Sequence, residues 1–255
     1  MDTATATTPT VVSRQDWLAA RREMLAREKL FTKARDELAA ERRRLPMVKI
    51  DTEYVFDGPH GKITLGELFG EHRQLIVYHF MFDPDWDEGC PSCSYFADNF
   101  TGALAHLPAR HTGFAVISRA PLAKLAAFQT RMGWTFPWYS SHGSRFNHDF
   151  GVTIDQASDA VDYNYQPAAT LLAEGKIWVE NGELPGLSVF WRSDGQIYHT
   201  YSTYQRGLDH LINTYNLLDL TPLGRGVDDQ DPYAMAWVRH HDRYTDQAAT
   251  SCTRH

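Results

Sequence analysis

Cysteine is scarce in this sequence: Cys90, Cys93 and Cys252 are all there are in 255 residues. That is too few for a disulfide-built scaffold, and it fits a reducing compartment. Long apolar runs are missing as well, so no segment reads as a membrane span. The opening MDTATATTPTVV has neither the basic start nor the apolar core of a secretion signal. A cytoplasmic protein with a disordered tail over residues 1–12 is the expectation. Positive charge is not in excess: the formal net charge is −7, which disfavours a nucleic-acid partner. No internal repeat is visible, which excludes a solenoid.

What is present is ordinary in bulk and uneven in placement. A hydrophobic content of 43% and a charged content of 22% suit a globular chain long enough to bury a large core. Ten basic and six acidic residues fall between Arg14 and Arg44, leaving the remainder more acidic. That stretch has no Gly or Pro, and Trp17, Met24, Phe31, Leu38 and Leu45 recur seven apart. It predicts an amphipathic helix over residues 13–45, capped by Ser13 or Asp16 and stopped by Pro46. The companion positions Ala20, Arg27, Ala34 and Glu41 are too weak for a regular coiled coil. The helix is therefore expected to pack along its own domain or against a second subunit, which makes a homodimer the candidate assembly.

After Pro46 the pattern alternates. Tyr54–Phe56 reads as a short strand and Leu65–Phe69 as a short helix. Gln74–Phe82 (QLIVYHFMF) and Gly113–Arg119 read as strands buried on both faces. A helix is expected over Cys93–Leu107, another from Pro121 through Met132, and a last one over Arg206–Leu218. Two strands meet at Asp194-Gly195, a strong hairpin signal. The order implies an α/β fold: a mixed sheet with helices on both faces, plus the long N-terminal helix. Residues 46–226 form the expected domain, with an insertion near 155–183 and a C-terminal extension over 227–255.

The chemistry concentrates in DPDWDEGCPSCSYF, where a CxxC follows the first long buried strand and opens a helix. That is the context a thioredoxin-like redox motif requires. Disulfide exchange needs a thiolate and a second thiol able to resolve the mixed disulfide. Cys90, facing the unpaired N–H groups of a first helical turn, is the candidate attacking thiol. Cys93 is the candidate resolving thiol, and Pro91 suits the first turn because its missing N–H costs little there. Asp83, Asp85, Asp87 and Glu88 oppose a thiolate, so only a modest fall in its pKa is expected. Asp87 is the candidate proton acceptor for Cys93, against a plain reading as solvated loop acid. Arg119 is a candidate thiolate stabiliser or, equally, a structural ion-pair partner.

Other residues carry blander readings. His79 alternates within a strand and reads as a hydrogen-bonded core histidine. Trp86, Trp134, Phe136, Trp138 and Tyr139 either wall a substrate pocket or simply pack. His240 and His241 are adjacent and point apart on a helix, so they make poor joint ligands. A zinc site built from the cysteines and histidines would span nearly 150 residues of sequence, unlike compact zinc modules. Cys252 reads as a bystander.

The segments GPHGKITLGELF, RQLIVYHFMFDPDWDEGCPSCSYFADN, VISRAPLAKLAAFQTRMGWTFPWYSS, FNHDFGV and LPGLSVFWRSDGQIYHTYSTYQRG resemble a bacterial thioredoxin-like family of unknown function described as predicted dithiol-disulfide oxidoreductases. The resemblance runs from about Glu28 to Tyr244. A looser similarity is to the alkyl hydroperoxide reductase/thiol-specific antioxidant branch, with Gly61, Leu65, Pro84, Cys90 and Pro91 in matching places. There Cys90 would be the peroxide-reacting cysteine. That branch places a Thr or Ser three residues earlier, where this chain has Asp87, which cannot donate a hydroxyl hydrogen bond. Thioredoxins also carry a cis-proline facing the CxxC, and Pro185 is the residue this resemblance implies.

The resulting expectation is a cytoplasmic thiol-disulfide oxidoreductase acting on a protein or small-molecule disulfide, with no cofactor and no bound metal. Cys90, Cys93, Arg119 and Asp87 carry the chemistry, and Trp86, Pro91 and Pro185 line the substrate side. The competing readings are a thiol peroxidase using Cys90, and a non-enzymatic protein whose CxxC is structural or metal-filled.

Overall fold

A computed structural model describes residues 9–155, 162–176, 182–226 and 234–244. Cys252 and most of the N-terminal tail lie outside the described residues, as do parts of the expected insertion and C-terminal extension.

Helix α1 (Arg14–Arg42) begins where Ser13 Oγ accepts the Asp16 backbone N–H at 3.1 Å. It buries no residue, and the seven-apart line of Trp17, Met24, Phe31 and Leu38 is about half exposed or more throughout. Among the described residues nothing covers that line, so the expected packing along its own domain is not seen there. The helix meets the body near its C-terminal end, where the Arg42 guanidinium lies 4.8 Å over the Tyr201 ring.

Beyond it run β1 (Val48–Lys49), the hairpin β2 (Val55–Gly58) and β3 (Gly61–Thr64), and a one-turn α2 (Leu65–Leu68). A reciprocal capping box of Thr64 and Glu67 starts that turn. Then come β4 (Gln74–His79), α3 (Pro91–Ala97), α4 (Thr101–Leu104), β5 (Thr112–Ser118), α5 (Leu122–Arg131), β6 (Trp138–Ser140) and α6 (Phe146–Asp149). Short pieces β7 (Thr153–Ile154), β8 (Asp162–Tyr163), β9 (Gln166–Pro167), α7 (Ala168–Ala173) and β10 (Gly182–Glu183) precede the closing hairpin. That hairpin is β11 (Gly186–Ser193) and β12 (Gln196–Tyr204), followed by a 3-10 turn and α8 (Asn213–Leu218).

The main sheet has the order β1-β12-β11-β4-β5-β6-β2-β3. Strands β4, β5 and β6 are parallel, and β11 returns antiparallel on the other side of β4. A strand that delivers a CxxC into a helix, a parallel neighbour, and an antiparallel hairpin on the opposite flank make this a thioredoxin-like α/β fold. The hairpin turns at Asp194 (φ 51°) and Gly195 (φ 73°), both left-handed, as the Asp-Gly pair favours.

Alternation along β4 divides the core. Leu75 and Val77 face a cluster containing Phe56, Phe69, Ile117, Phe146 and Phe190. Tyr78, Phe80 and Phe82, on the side of the strand line that α3 covers, join Cys93, Phe96, Phe128, Trp134 and Trp138. The expected helix over Cys93–Leu107 breaks between α3 and α4. There Asn99 caps Tyr95 O at 2.7 Å and accepts from the Thr214 N–H at 3.0 Å, tying α3 to α8.

Candidate functional site

Cys90 is the N-cap of α3 and Pro91 its first residue. The loop that brings it there is tightly held. The Cys90 N–H donates to Met81 O at 3.1 Å, and Lys124 Nζ donates to Pro84 O and Trp86 O at 2.7 and 2.9 Å. His240 Nε2 lies 2.8 Å from Gly89 O, so the C-terminal segment presses on the residue before Cys90. Glu88 pairs with Arg131 at 2.7 Å and with Arg243, binding that segment to α5.

Gly89 is required by space. A Cβ there would stand 2.6 Å from Phe80 Cε1 and 2.8 Å from Phe128 Cε1, two rings fixed in the core. Gly89→Ala is expected to cost about 1–3 kcal/mol by overpacking and to displace Cys90 with it. A thermal melt should show the loss of stability, and thiol alkylation should show Cys90 reactivity moving to higher pH. Wild-type melting and alkylation would count against this fit.

Both cysteines are free thiols, Cys90 half-buried and Cys93 2% exposed. They differ sharply in acidity. The Cys93 side chain, hydrogen-bonded to Cys90, leads in bringing the Cys90 thiol down to about 7 against the cost of burial. The backbone N–H groups of Ser92 and Cys93 add to this, although none is aligned closely enough to close a cap hydrogen bond. Burial pushes Cys93 well up, and a charge on Cys90 pushes it further. The pair therefore loses its first proton at Cys90.

The surroundings of Cys93 are not those expected. Its sulfur receives the Met81 N–H at 3.5 Å and interacts with the hydroxyl of Tyr78, while the phenol of Tyr163 lies close enough to feel its charge. Asp87 is exposed and is not among the largest influences on either thiol. Arg119 is committed to carboxylates rather than sulfur, with Asp83 at 2.8 Å and Glu183 at 2.7 Å. Glu183 is 4% exposed and also accepts from Thr153 and Asn147. Burial outweighs these partners and holds its carboxyl up at about 7.

Trp86, like Cys90, packs against the cluster that contains Cys93. Pro185 lies just before β11, where its carbonyl accepts from Tyr163 at 3.0 Å. No peptide bond among the described residues is cis, so the cis-proline implied by the resemblance is corrected to a trans one. Trp134, Phe136 and Trp138 are buried core residues, as their packing reading had it. Tyr78, Tyr163, Glu183 and the placement of His240 were not foreseen. Only the buried alternation of QLIVYH could have pointed Tyr78 toward the side on which the cysteines lie. Among the described residues, no group of three or more His, Cys, Asp or Glu side chains could hold a metal ion. No described helix is long and apolar enough to cross a membrane.

The family described as "Bacterial protein of unknown function (DUF899)" matches residues 6–244. No curated protein matches the chain. Among solved structures it is similar to a peroxiredoxin Q from Xanthomonas campestris, at 13% identity and a TM-score of 0.46, covering 70% of this chain and 98% of that one. It is also similar to PrxQ from Xylella fastidiosa, at 12% identity and a TM-score of 0.44 over 68% and 97% of the two chains. Peroxidoxin BcpB from Mycobacterium tuberculosis gives 13% identity and a TM-score of 0.44 over 68% and 97%.

Proposed function

The chain belongs to the bacterial DUF899 family, and we propose that it acts there as a thiol-based oxidoreductase in which Cys90 and Cys93 exchange electrons with a protein or small-molecule disulfide. One observation carries this reading: a half-buried thiol brought down to about 7 sits at the first turn of a helix, hydrogen-bonded to a second, buried thiol three residues on.

The chemistry follows from that asymmetry. Near neutral pH, Cys90 is substantially thiolate and attacks one sulfur of the substrate disulfide, releasing the other as a thiol. Cys93 then attacks Cys90, releasing the second substrate thiol and leaving a Cys90–Cys93 disulfide. Pro91 fixes the first turn, and Trp86 and Pro185 flank the side from which substrate would approach. Arg119 enters as a positioning residue, holding the Asp83 end of the loop to Glu183.

A peroxide would call on the same Cys90 thiolate, so the two enzymatic readings part at the oxidant rather than at the residue. Asp87 at the third position before Cys90 is exposed and offers no hydroxyl donor for a peroxide. Mass spectrometry on the purified protein decides. A reversible loss of two hydrogens mapped to Cys90–Cys93, driven by a disulfide such as oxidised glutathione, is the expected result. Oxidation by one equivalent of hydrogen peroxide but not by the disulfide would replace this reading with a peroxidase. Thiols inert to both oxidants in the folded protein would retire it.

A further inference from the structure

The loop that carries Cys90 is held by a residue 151 positions further along the chain, and the hold falls on a single peptide group. The Gly89 carbonyl and the Cys90 N–H are the two poles of that group. The Cys90 N–H donates to Met81 O at 3.1 Å, and His240 Nε2 stands 2.8 Å from Gly89 O. A carbonyl only accepts, so Nε2 carries the hydrogen, and Nδ1 is left to face Arg131 Nη2 at 3.4 Å. On the other side of the cysteine, Cys90 O accepts from the N–H and from the hydroxyl of Ser94, each at 2.9 Å.

The segment that supplies His240 is itself braced. The imidazole is 3% exposed and meets the Phe128 ring edge-on at 5.3 Å. Arg131 takes Asp242 in a two-pronged pair at 2.8 and 3.0 Å, and Glu88 at 2.7 Å, so one guanidinium joins the segment to the cysteine loop. His241 Nδ1 lies 2.8 Å from Oδ1 of Asp98, the residue that ends α3. The segment thus grips α3 at both ends, with His240 at the peptide before the attacking cysteine.

We propose that His240 is a positioning residue for attack by Cys90, its Nε2–H holding the Gly89–Cys90 peptide so that the thiol keeps its place at the first turn of α3. The inference rests on the dithiol reading above and concerns its first step. There the Cys90 sulfur, as thiolate, forms a bond to one sulfur of the substrate disulfide, and the substrate S–S bond breaks. The electron pair leaves with the other sulfur, which takes up a proton from water and departs as a thiol. His240 gives up no proton and touches no reacting atom. Without it the buried Gly89 carbonyl loses its donor, and the peptide is free to turn toward another partner.

Three substitutions separate holding from packing. Gln brings an amide N–H close to the reach of imidazole Nε2, Asn falls a bond short of it, and Leu fills space without a donor. With oxidised glutathione and a Cys93→Ser parent, mixed-disulfide formation at Cys90 should slow by about 10- to 100-fold in His240→Asn and His240→Leu, and stay within about threefold in His240→Gln. The pH midpoint of Cys90 alkylation should rise in the first two and hold in His240→Gln. Melting temperatures identify the folded variants, and if His240→Leu does not fold, Asn against Gln decides by the same comparison. A merely structural histidine would give rates that follow melting temperature rather than the donor. Parent rates and midpoint in a folded Asn or Leu variant, or a folded His240→Gln as slow as they are, would overturn the inference and leave the dithiol reading intact. A parent that forms no mixed disulfide would bring down both, and that outcome is read without any change at His240.

Discussion

At pH 7 iodoacetamide should label Cys90 rapidly and leave Cys93 untouched while the protein is folded. With its thiol brought down to about 7, Cys90 is about half ionised at that pH, whereas a thiol at the ordinary value of 9.0 would be roughly 1% ionised. The gain in thiolate is thus roughly 50-fold, partly offset by the lower nucleophilicity of a more acidic thiol. Cys93 is buried and shifted the other way, and its labelling is expected to be slower than that of Cys90 by more than about 100-fold. The two serine variants should then fail differently. Cys90→Ser abolishes reaction with a disulfide at the first step. Cys93→Ser still reacts once and stops as a stable mixed disulfide at Cys90, visible as an added mass. Equal labelling of the two thiols, or full turnover by Cys93→Ser, would contradict the assignment of attacking and resolving roles.

Much of this site was legible because its signals are local. A buried apolar run, a CxxC directly after it and a proline in the first helical turn lie within about twenty residues, and each has a conformational consequence of its own. The Asp194-Gly195 hairpin is legible for the same reason, since both residues tolerate left-handed backbone. What remained hidden depends on residues far apart in the chain. The His240 contact with Gly89 spans 151 positions, and the Glu183 contact with Asn147 spans 36. No periodicity announces such pairings. Arg119 was open to either partner from sequence alone. Its two carboxylates come from the loop after β4 and from strand β10, and only the fold brings them to one guanidinium.

Helix α1 shows the opposite limit. Its capping and period were legible, but a repeating apolar line does not say what covers it. Within the described residues nothing does. The expected helix after Cys93 fails for a further reason: Asn99 is worth more as a bridge to α8 than as a helical residue, so propensity yields to a tertiary contact.

Two buried groups on the far side of the sheet from α3 and around Arg119 should make opposing, nearly cancelling contributions to the folding stability between about pH 4.5 and 6.5. His79 is 1% exposed, stacked on Phe146 and Phe150, with Nε2 2.8 Å from Ser188 Oγ and Nδ1 without a partner among the described residues. Burial first, and then the nearby His199, holds its pKa down at about 3. Between about 6.5 and 3 the unfolded chain therefore binds a proton that the native protein refuses, and stability falls as pH falls. At about 1.4 kcal/mol per pH unit, the full loss approaches about 4–5 kcal/mol, a large part of a typical folding free energy. Glu183 has the reverse sign. Its carboxyl is raised from 4.5 to about 7 by burial, against Arg119 and with Asp83 adding to the rise. The native protein therefore holds a proton that the unfolded chain has lost, and its contribution is full below about 4.5 and disappears as pH climbs to about 7. Across the shared window the two slopes oppose and nearly cancel. Urea midpoints measured from pH 3 to 8 should expose each slope through the difference between variant and wild type. Glu183→Gln should leave the slope of His79, with stability rising by about 1.4 kcal/mol per pH unit from pH 4.5 to 6.5. His79→Gln should leave that of Glu183, with stability falling over the same range. Difference curves that stay flat through the window in both variants would show that neither group is held away from its ordinary protonation.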